Sequence, residues 1–240
     1  MNNTNNLSAR MSYDNAKKVL FNAWIESFKR QDGTYDTEGC WRYVNGRKLA
    51  QGEVRVEVNL ATTANSFIFA ITPSQDNSNG FKFATENRLQ QQDSLVANEY
   101  GIFVAQTTGN NDAAYLLNTY GNTQNFAAAD AAALDSTFYS NGGFQMKVNN
   151  DVIIPYRGLF NHWYKPQTQQ TAALGPASPK DQIRGAEDGF VTFEPNVLLI
   201  GSKNYVPEIV LKGALASAAA NLRCVLIFRG ILAQNSTVIN

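Results

Sequence analysis

A strict alternation of apolar and polar residues over positions 53–60 constrains the fold more than any other feature of this sequence. Val54, Val56, Val58 and Leu60 occupy every second position, with charged or amide side chains between them. Successive side chains of an extended chain point to opposite faces, so this period predicts a strand with one buried face. Apolar runs bounded by turn residues predict further strands at 66–71, 94–106, 114–119, 143–149, 152–155, 157–163, 189–193, 197–200, 207–212 and 221–233.

One helix, over residues 12–30, is predicted before these strands. Its apolar side chains, which include Leu20, Trp24 and Phe28, recur at helical spacing. No unit of strand and then helix repeats afterwards, so a parallel sheet covered by helices is not expected. The sequence therefore predicts a mainly β protein, an antiparallel β-sandwich with one N-terminal helix. The residues expected to face its core are Val54, Val56, Val58, Phe144, Met146, Val148, Leu226 and Phe228.

The domain organisation follows from length and polarity. A chain of 240 residues is long enough for one large β domain, which we expect to span residues 12–240. Residues 1–11 are polar and rich in Asn, and we expect them to form an extended arm outside that domain. Long loops are predicted at 73–92, 122–138 and 166–188, and loops of this length usually carry function or lie against partners. We expect the arm, the helix and the loop 166–188 to contribute to contacts between copies.

The charge of the chain limits what it binds. Twenty basic and twenty acidic residues cancel, so there is no global field that attracts nucleic acid or an anionic membrane. Charged residues make up only 17% of the chain, whereas it contains 27 Asn and 14 Gln. Carboxamides hydrogen-bond to neighbours without the cost of desolvating a charge. This composition favours a surface that other protein copies cover.

Catalytic residues are scarce. His162 is the only histidine. Catalytic triads and histidine metal sites need an imidazole that partner residues hold in place. We therefore interpret His162 as a packed or surface histidine. The sequence contains no nucleophile-elbow or phosphate-loop motif. Glu86, Asp93 and Glu99 are the carboxylates considered for glycoside hydrolysis, which needs two carboxyl groups roughly 5 to 10 Å apart. We expect no enzymatic activity, no catalytic or cofactor-binding residue and no cofactor.

Neither stacking aromatics nor metal ligands form a diagnostic motif. Trp41, Tyr43, Trp163 and Tyr164 are able to stack on sugars or bases, but in an all-β protein such residues more often lie in the core or at interfaces. Four loop aspartates lack the spacing of an EF-hand, so we expect no metal site. These aspartates are Asp76, Asp112, Asp130 and Asp188.

The two cysteines, Cys40 and Cys224, stand far apart in the chain, with no metal-binding spacing around either. Cys224 lies in an apolar run and is predicted to be a small buried residue, while a disulfide between the two remains an open alternative. The first residues contain no apolar core of a secretion signal, and no stretch reaches the roughly 18 apolar residues of a membrane span. We therefore expect synthesis in the cytoplasm of the cell that expresses the chain.

The organisation of the whole chain resembles that of jelly-roll capsid proteins of tailless icosahedral viruses, in particular of bacteriophages. The likeness lies in the polar, Asn-rich start, the single N-terminal helix and the many antiparallel strands with long loops between them. It extends to an apolar last strand at 221–230, which a short polar tail follows. This is a likeness of organisation over most of the chain, and it carries no residue roles.

The resemblance implies a structural virion protein, the major capsid protein of an icosahedral phage shell. Its expected fold is of jelly-roll type; about ten strands favour a single roll, with a compact double jelly roll as the alternative. Its expected partners are copies of itself, as a trimer within the shell, and other virion proteins. Arg10 is the only basic residue in 1–11, so contact with an internal membrane or with protein fits the arm better than genome binding. A carbohydrate- or receptor-binding phage module is the alternative function.

Overall fold

The computed structural model describes residues 4–60, 63–71, 86–106, 116–148, 150–164, 189–215 and 222–237, with side chains from residue 12 onward. Within these residues the protein is mainly β. Eight antiparallel strands form two four-stranded sheets, and one hydrophobic core lies between them. The strands are β1 Lys48–Asn59, β2 Ser66–Ile68, β3 Ser94–Gln106, β4 Gly142–Val148, β5 Asp151–Gly158, β6 Phe190–Ile200, β7 Tyr205–Leu211 and β8 Leu222–Gln234.

Sheet I has the strand order β1-β8-β3-β6, and sheet II has the order β2-β7-β4-β5. Strand β8 is central in sheet I, because it pairs with β1 on one side and with β3 on the other along most of its length. All side chains of residues 222–228 are buried. A strand that is covered on both faces has no need of polar residues at alternate positions, which accounts for the apolar run at this end of the sequence.

The predicted inward-facing residues meet between the sheets. Six of the eight are buried in one cluster, and Val58 and Val148 are partly buried and pack against it. An aromatic stack fills the middle of this core: the ring of Tyr100 lies 4.5 Å from that of Phe193 and 5.2 Å from that of Phe144, between centroids. The six buried residues are Val54, Val56, Phe144, Met146, Leu226 and Phe228. The prediction of a β-sandwich core is confirmed at these positions.

Two helices, α1 Thr4–Trp24 and α2 Thr37–Asn45, pack on the outer face of sheet I. Asp36 caps the start of α2, since its Oδ1 accepts a hydrogen bond from the backbone N–H of Gly39 at 2.9 Å. A third helix, α3 Ala128–Ala133, and the π-helical turn Leu134–Tyr139 add buried side chains to the core between the sheets. The residues that join α1 and α2 to sheet I are Ala16, Leu20, Trp24, Cys40, Val44, Val96, Ile200, Ile231 and Ala233.

The N-terminal helix begins and ends earlier than predicted. It starts at Thr4, so the prediction of an extended arm over 1–11 is wrong for residues 4–11. Apolar periodicity reports burial rather than helicity, and a helix that is nucleated over 12–24 propagates at little cost through residues such as Leu7, Ala9 and Met11. At the other end α1 stops at Trp24, and the 3-10 turn Ile25–Phe28 follows in place of a helix that continues to residue 30.

The described part of the chain contains eight strands, where the whole sequence predicts about ten. The predicted strands 189–193 and 197–200 are one strand, β6, because Glu194-Pro195-Asn196 continues the extended chain at a sheet edge. The predicted strand 157–163 divides: its first two residues end β5, and the 3-10 turn Leu159–His162 follows. Of the predicted strand 114–119, Asn118 forms only an isolated bridge, and residues 114 and 115 lie outside the described residues. The predicted loop 166–188 also lies outside them.

Candidate functional site

The outer face of sheet II carries apolar side chains that solvent reaches. Ile68 is 57% exposed and Tyr156 is 52% exposed, and Val152 and Val206 are exposed as well. Sheet I differs, because α1 and α2 cover part of its outer face. We call the outer face of sheet II the open face; it consists of Ser66, Ile68, Gly143, Gln145, Lys147, Val152, Tyr156, Val206, Glu208 and Val210. Ile68 on β2 and Val152 and Tyr156 on β5 lie at the two sides of this face, and exposed apolar side chains grouped on one face are a feature of interaction surfaces.

A polar ladder crosses the centre of the open face. Glu208 accepts hydrogen bonds from Ser66 Oγ at 2.7 Å and from Gln145 Nε2 at 2.8 Å, and Lys147 Nζ lies 4.0 Å from its carboxylate. These contacts lower the pKa of Glu208, with the hydrogen bond from Ser66 as the largest cause, while partial burial acts in the opposite direction. Glu208 is therefore a fixed negative charge with Lys147 beside it.

The ring of Tyr156 lies directly on the backbone of Gly143, which has no side chain to displace it. A Cβ atom on Gly143 would overlap with the ring of Tyr156. The ring therefore covers the backbone of β4 and stays exposed on its other side. Glycine at this position permits a close approach that no other residue allows.

All four edge strands have features that oppose the addition of another strand. Pro155 in β5 and Pro195 in β6 each remove a backbone donor, and β2 has only three residues. On the free side of β1, Arg55 exchanges two backbone hydrogen bonds with Asn87, at 2.7 and 2.9 Å. A cleft of about 460 Å³ opens between the β5 and β6 edges, with both prolines in its lining. These features disfavour the addition of a further strand at the edges of both sheets.

A second cleft, of about 500 Å³, lies between the middle of α1 and sheet I. Ser12 and Tyr13 line one side of it, and Glu53, Glu99 and Arg229 lie on three neighbouring strands across from them. The register places Arg229 of β8 between Glu53 of β1 and Glu99 of β3. Its Nε lies 3.6 Å from Glu53 Oε2. The two carboxylates are thus separated by a guanidinium group and do not face each other across an open groove.

The other two predicted carboxylates have structural contacts elsewhere. Glu86 is buried; its Oε1 accepts a hydrogen bond from Glu57 N at 3.2 Å, and its Oε2 pairs with Arg88 at 3.0 Å. Asp93 is also buried, and its Oδ1 accepts a hydrogen bond from Asn235 N at 2.9 Å. These contacts attach the segment before β3 to β1 and to the end of β8. Glu86, Asp93 and Glu99 therefore contact three different parts of the fold.

His162 is a core residue. Its ring lies edge-on to Tyr100, 4.6 Å between centroids, and its Nδ1 is 3.5 Å from the carbonyl oxygen of Gly189. Burial lowers the pKa of His162 to about 4, against the smaller opposing effect of the contact with Gly189. The imidazole is therefore neutral at physiological pH and has the surroundings of a packed side chain.

The four predicted aromatics fall into two separate groups. Trp41 stacks on Phe21 at 4.5 Å and the hydroxyl of Tyr43 donates to Ser236 O at 2.9 Å, both in the helical layer. Trp163 instead donates through Nε1 to Asp135 Oδ1 at 3.0 Å, beside the π-helical turn. Tyr164 follows it and is bonded through its backbone to Thr119. Packing and hydrogen bonding thus account for all four residues.

Cys40 and Cys224 are both free and both buried. Cys40 belongs to the helical layer outside sheet I, and Cys224 belongs to the core inside it. Burial raises the pKa of the Cys40 thiol and raises that of Cys224 well above its usual range. Neither thiol is therefore activated as a nucleophile.

Metal ligands do not gather in the part of the chain that the structure describes: no three His, Cys, Asp or Glu side chains there are placed to hold an ion. Asp130 is buried in α3, and Asp76, Asp112 and Asp188 lie outside the described residues. Among the described helices, none combines the length and the apolar character needed to cross a membrane.

The sequence contains one signal for the open face. In the segment 205–211, apolar residues occupy both faces of β7, with Val206 and Val210 on the outer side and Tyr205, Ile209 and Leu211 on the inner side. A strand that is apolar on both faces indicates cover on both faces. Comparison with known protein families and with curated proteins finds no family model and no relative that matches this chain.

Proposed function

We propose that this chain is a structural virion protein, a capsid subunit that assembles with copies of itself into the icosahedral shell of a tailless bacteriophage. The proposal starts from the resemblance in organisation and draws physical support from the strand pairing, the open face and the edge strands. It places the protein in the virion and assigns it no catalytic role.

The observation that carries the proposal is the pairing of the eight strands. The pairs β1–β8, β2–β7, β3–β6 and β4–β5 all occur. The first strand thus pairs with the last, the second with the second last, and so on towards the middle of the series. This is the pairing of one long antiparallel hairpin whose turn lies between β4 and β5. Rolling that hairpin up brings β8 beside β3 and β7 beside β4, which are the two remaining pairings. This pairing supports a fold of jelly-roll type, and the eight strands of the described residues favour a single roll over the compact double one.

The surface supports assembly between identical copies. A net charge of zero and a charged fraction of 17% keep repulsion between copies low. The prolines, the short β2 strand and the bridge from Arg55 to Asn87 oppose the addition of strands at the sheet edges, a mode of association that leads to fibres. Contacts between sheet faces are compatible with closed symmetry. The step from this architecture to a shell subunit is an argument by likeness.

Electron microscopy of the full-length protein, expressed without other virion proteins and purified under native conditions, tests the proposal. We expect closed particles of uniform diameter, or rings and trimers that close into particles at high protein concentration. Preparations that contain only separate 26.4 kDa chains would contradict it.

A carbohydrate- or receptor-binding module is the second candidate function, and one observation favours it. Phe160 is 63% exposed and lies parallel to Trp163, with ring centroids 6.1 Å apart. Trp163 is bonded to Asp135, so that exposed aromatic surface lies beside a carboxylate, a combination that suits sugars. A glycan-array screen separates the two candidates: specific sugar binding by a monomeric chain, lost in Phe160→Ala, would favour the binding module.

A further inference from the structure

We propose that the open face is a twofold interface between two copies of this chain; this inference rests on the proposed function and names the surface that makes one of the contacts of the shell. The argument uses the strand order of sheet II, the apolar residues at its sides and the two charges at its centre. An icosahedral shell contains twofold as well as threefold axes, so this contact is compatible with the predicted trimer.

The strand order makes the open face complementary to itself. One row across the sheet holds Ile68 of β2, Glu208 of β7 and Gln145 of β4. The pairing of β4 with β5 shifts next to Gln145, where Pro155 and Tyr156 lie between the paired residues Ile154 and Arg157, and the ring of Tyr156 covers the neighbouring Gly143. Consider a twofold axis that runs parallel to the strands and passes between β7 and β4. It places β2 of one copy over β5 of the other, and β7 of one copy over β4 of the other. It sets Ile68 of each copy near Tyr156 of the other, and Glu208 of each copy over Gln145 of the other. Apolar groups thereby meet apolar groups, and the polar ladder meets a polar ladder.

The charges are complementary under the same rotation. Lys147 stands two residues beyond Gln145 on the same face of β4, in register with Val206, while Glu208 is in register with Gln145 and its carboxylate lies 4.0 Å from Lys147 Nζ. Each carboxylate therefore meets the Gln145–Lys147 side of the second copy, and the contact occurs twice. The hydrogen bonds from Ser66 and Gln145 hold Glu208 in place before association, which lowers the entropy that binding costs.

The size of the face sets the strength of the contact. With strands about 4.8 Å apart and about 3.3 Å per residue, four strands of roughly six residues present about 400 Å² per copy. A stable complex buries about 800 Å² per partner. The open face alone therefore supports a weak dimer, and repetition of the contact in a closed assembly supplies the remaining stability.

Charge reversal tests the interface, because the twofold predicts a specific rescue. Glu208→Lys sets lysine against Lys147 at both contacts of the dimer, and Lys147→Glu sets glutamate against Glu208. Each variant alone is expected to self-associate about tenfold or more weakly than the wild type, since like charges across an interface are strongly unfavourable. A mixture of the two variants restores opposite charges at both contacts. We expect the mixture to associate nearly as well as the wild type in sedimentation velocity.

Two controls keep the test independent of folding. Glu38→Lys reverses an exposed charge on α2, far from sheet II, and is expected to leave association unchanged. Tyr156→Ser tests the apolar side of the face and is matched by Tyr35→Ser, which removes a similarly exposed tyrosine before α2. Circular dichroism and urea midpoints check that each variant is folded, and the tyrosine pair decides the question if Glu208→Lys does not fold.

The outcomes separate the two proposals. A wild-type chain that self-associates, while the reversed variants and Tyr156→Ser associate equally well, would overturn the interface and leave the proposed function standing. Variants that lose association without rescue in the mixture would likewise overturn the twofold arrangement and indicate that a different partner binds there. A wild-type chain that does not self-associate would remove the proposed function and the interface together.

Discussion

Glu57 and Arg223 form an ion pair on the outer face of sheet I in which neither side chain is exposed to solvent. Arg223 Nη1 lies 3.2 Å from Glu57 Oε2, and Arg55 Nε lies 2.9 Å from Glu57 Oε1. Charges that are removed from water are costly unless they are paired, so each partner depends on the others. The pair joins β1 to β8, which is one of the two inner strands of sheet I.

We expect Glu57→Gln to destabilise the protein by about 3 kcal/mol or more, because it removes the negative charge from a buried ion pair. Chemical denaturation with urea measures the change. Glu38→Gln is the matched control, since the Arg42–Glu38 pair is 79% and 86% exposed, and such pairs contribute little. Equal unfolding midpoints for the two variants would contradict a stabilising role for the buried pair.

The pH dependence of stability is expected to include a contribution from His162. Its pKa is about 4 in the folded protein, below the ordinary value of 6.5 that we expect in the unfolded chain. Between these values the unfolded state binds more protons, so stability falls as the pH drops from 6.5 towards 4 and is unaffected above 6.5. The total loss is about 3 kcal/mol. His162→Asn keeps a donor towards Gly189 but does not titrate, so its stability should fall less steeply in this range.

A direct measurement of the same pKa is available because His162 is the only histidine. Its imidazole proton resonance in a one-dimensional NMR spectrum belongs to no other residue. We expect its chemical shift to stay that of neutral imidazole down to pH 5.5. A titration midpoint near 6.5 in the folded protein would show that the ring is accessible to solvent.

The aromatic stack around Tyr100 is expected to contribute strongly to stability. Phe144→Ala removes a fully buried ring that stacks on Tyr100, and such substitutions cost about 3–5 kcal/mol. Phe160→Ala removes a ring that is mostly exposed, so its effect should be small. Thermal unfolding of the two variants tests the contrast, and a similar loss in both would contradict the assignment of the core.

Deletion of residues 1–11 is expected to weaken assembly and to leave the β core folded. Residues 4–11 form the first turns of α1, and the buried residues by which the helix packs on sheet I, Ala16, Leu20 and Trp24, lie after them in the chain. Light scattering of the full-length and truncated proteins measures assembly, and circular dichroism measures folding. Truncated protein that assembles as well as the full chain would exclude a role for this segment in subunit contacts.

Much of the fold was predictable from the sequence, because strand alternation reports burial directly. The bounds predicted for β3 agree with the structure, and six of the eight predicted core residues are buried. The start of α1 was not predictable from periodicity, because propensity and propagation extend a helix beyond its buried turns. The turn at Leu159–His162 was predicted as strand, since its apolar residues pack without alternation.

The candidate site was less predictable, because exposure depends on which sheet the helices cover. The sequence shows that Val206 and Val210 are apolar. It does not show which of the two sheets α1 and α2 cover. Only the tertiary structure leaves these residues on the uncovered face, beside Tyr156 from another strand. The polar ladder of Ser66, Gln145 and Glu208 likewise comes from three separate strands. No local pattern joins such residues.

Self-association is the central claim, and sedimentation velocity of the purified full-length protein over a wide concentration range tests it most directly. We expect the population to shift with rising concentration from single chains of 26.4 kDa to a species of defined higher mass, a fixed multiple of that value. A single 26.4 kDa species at every concentration up to the solubility limit would contradict the claim.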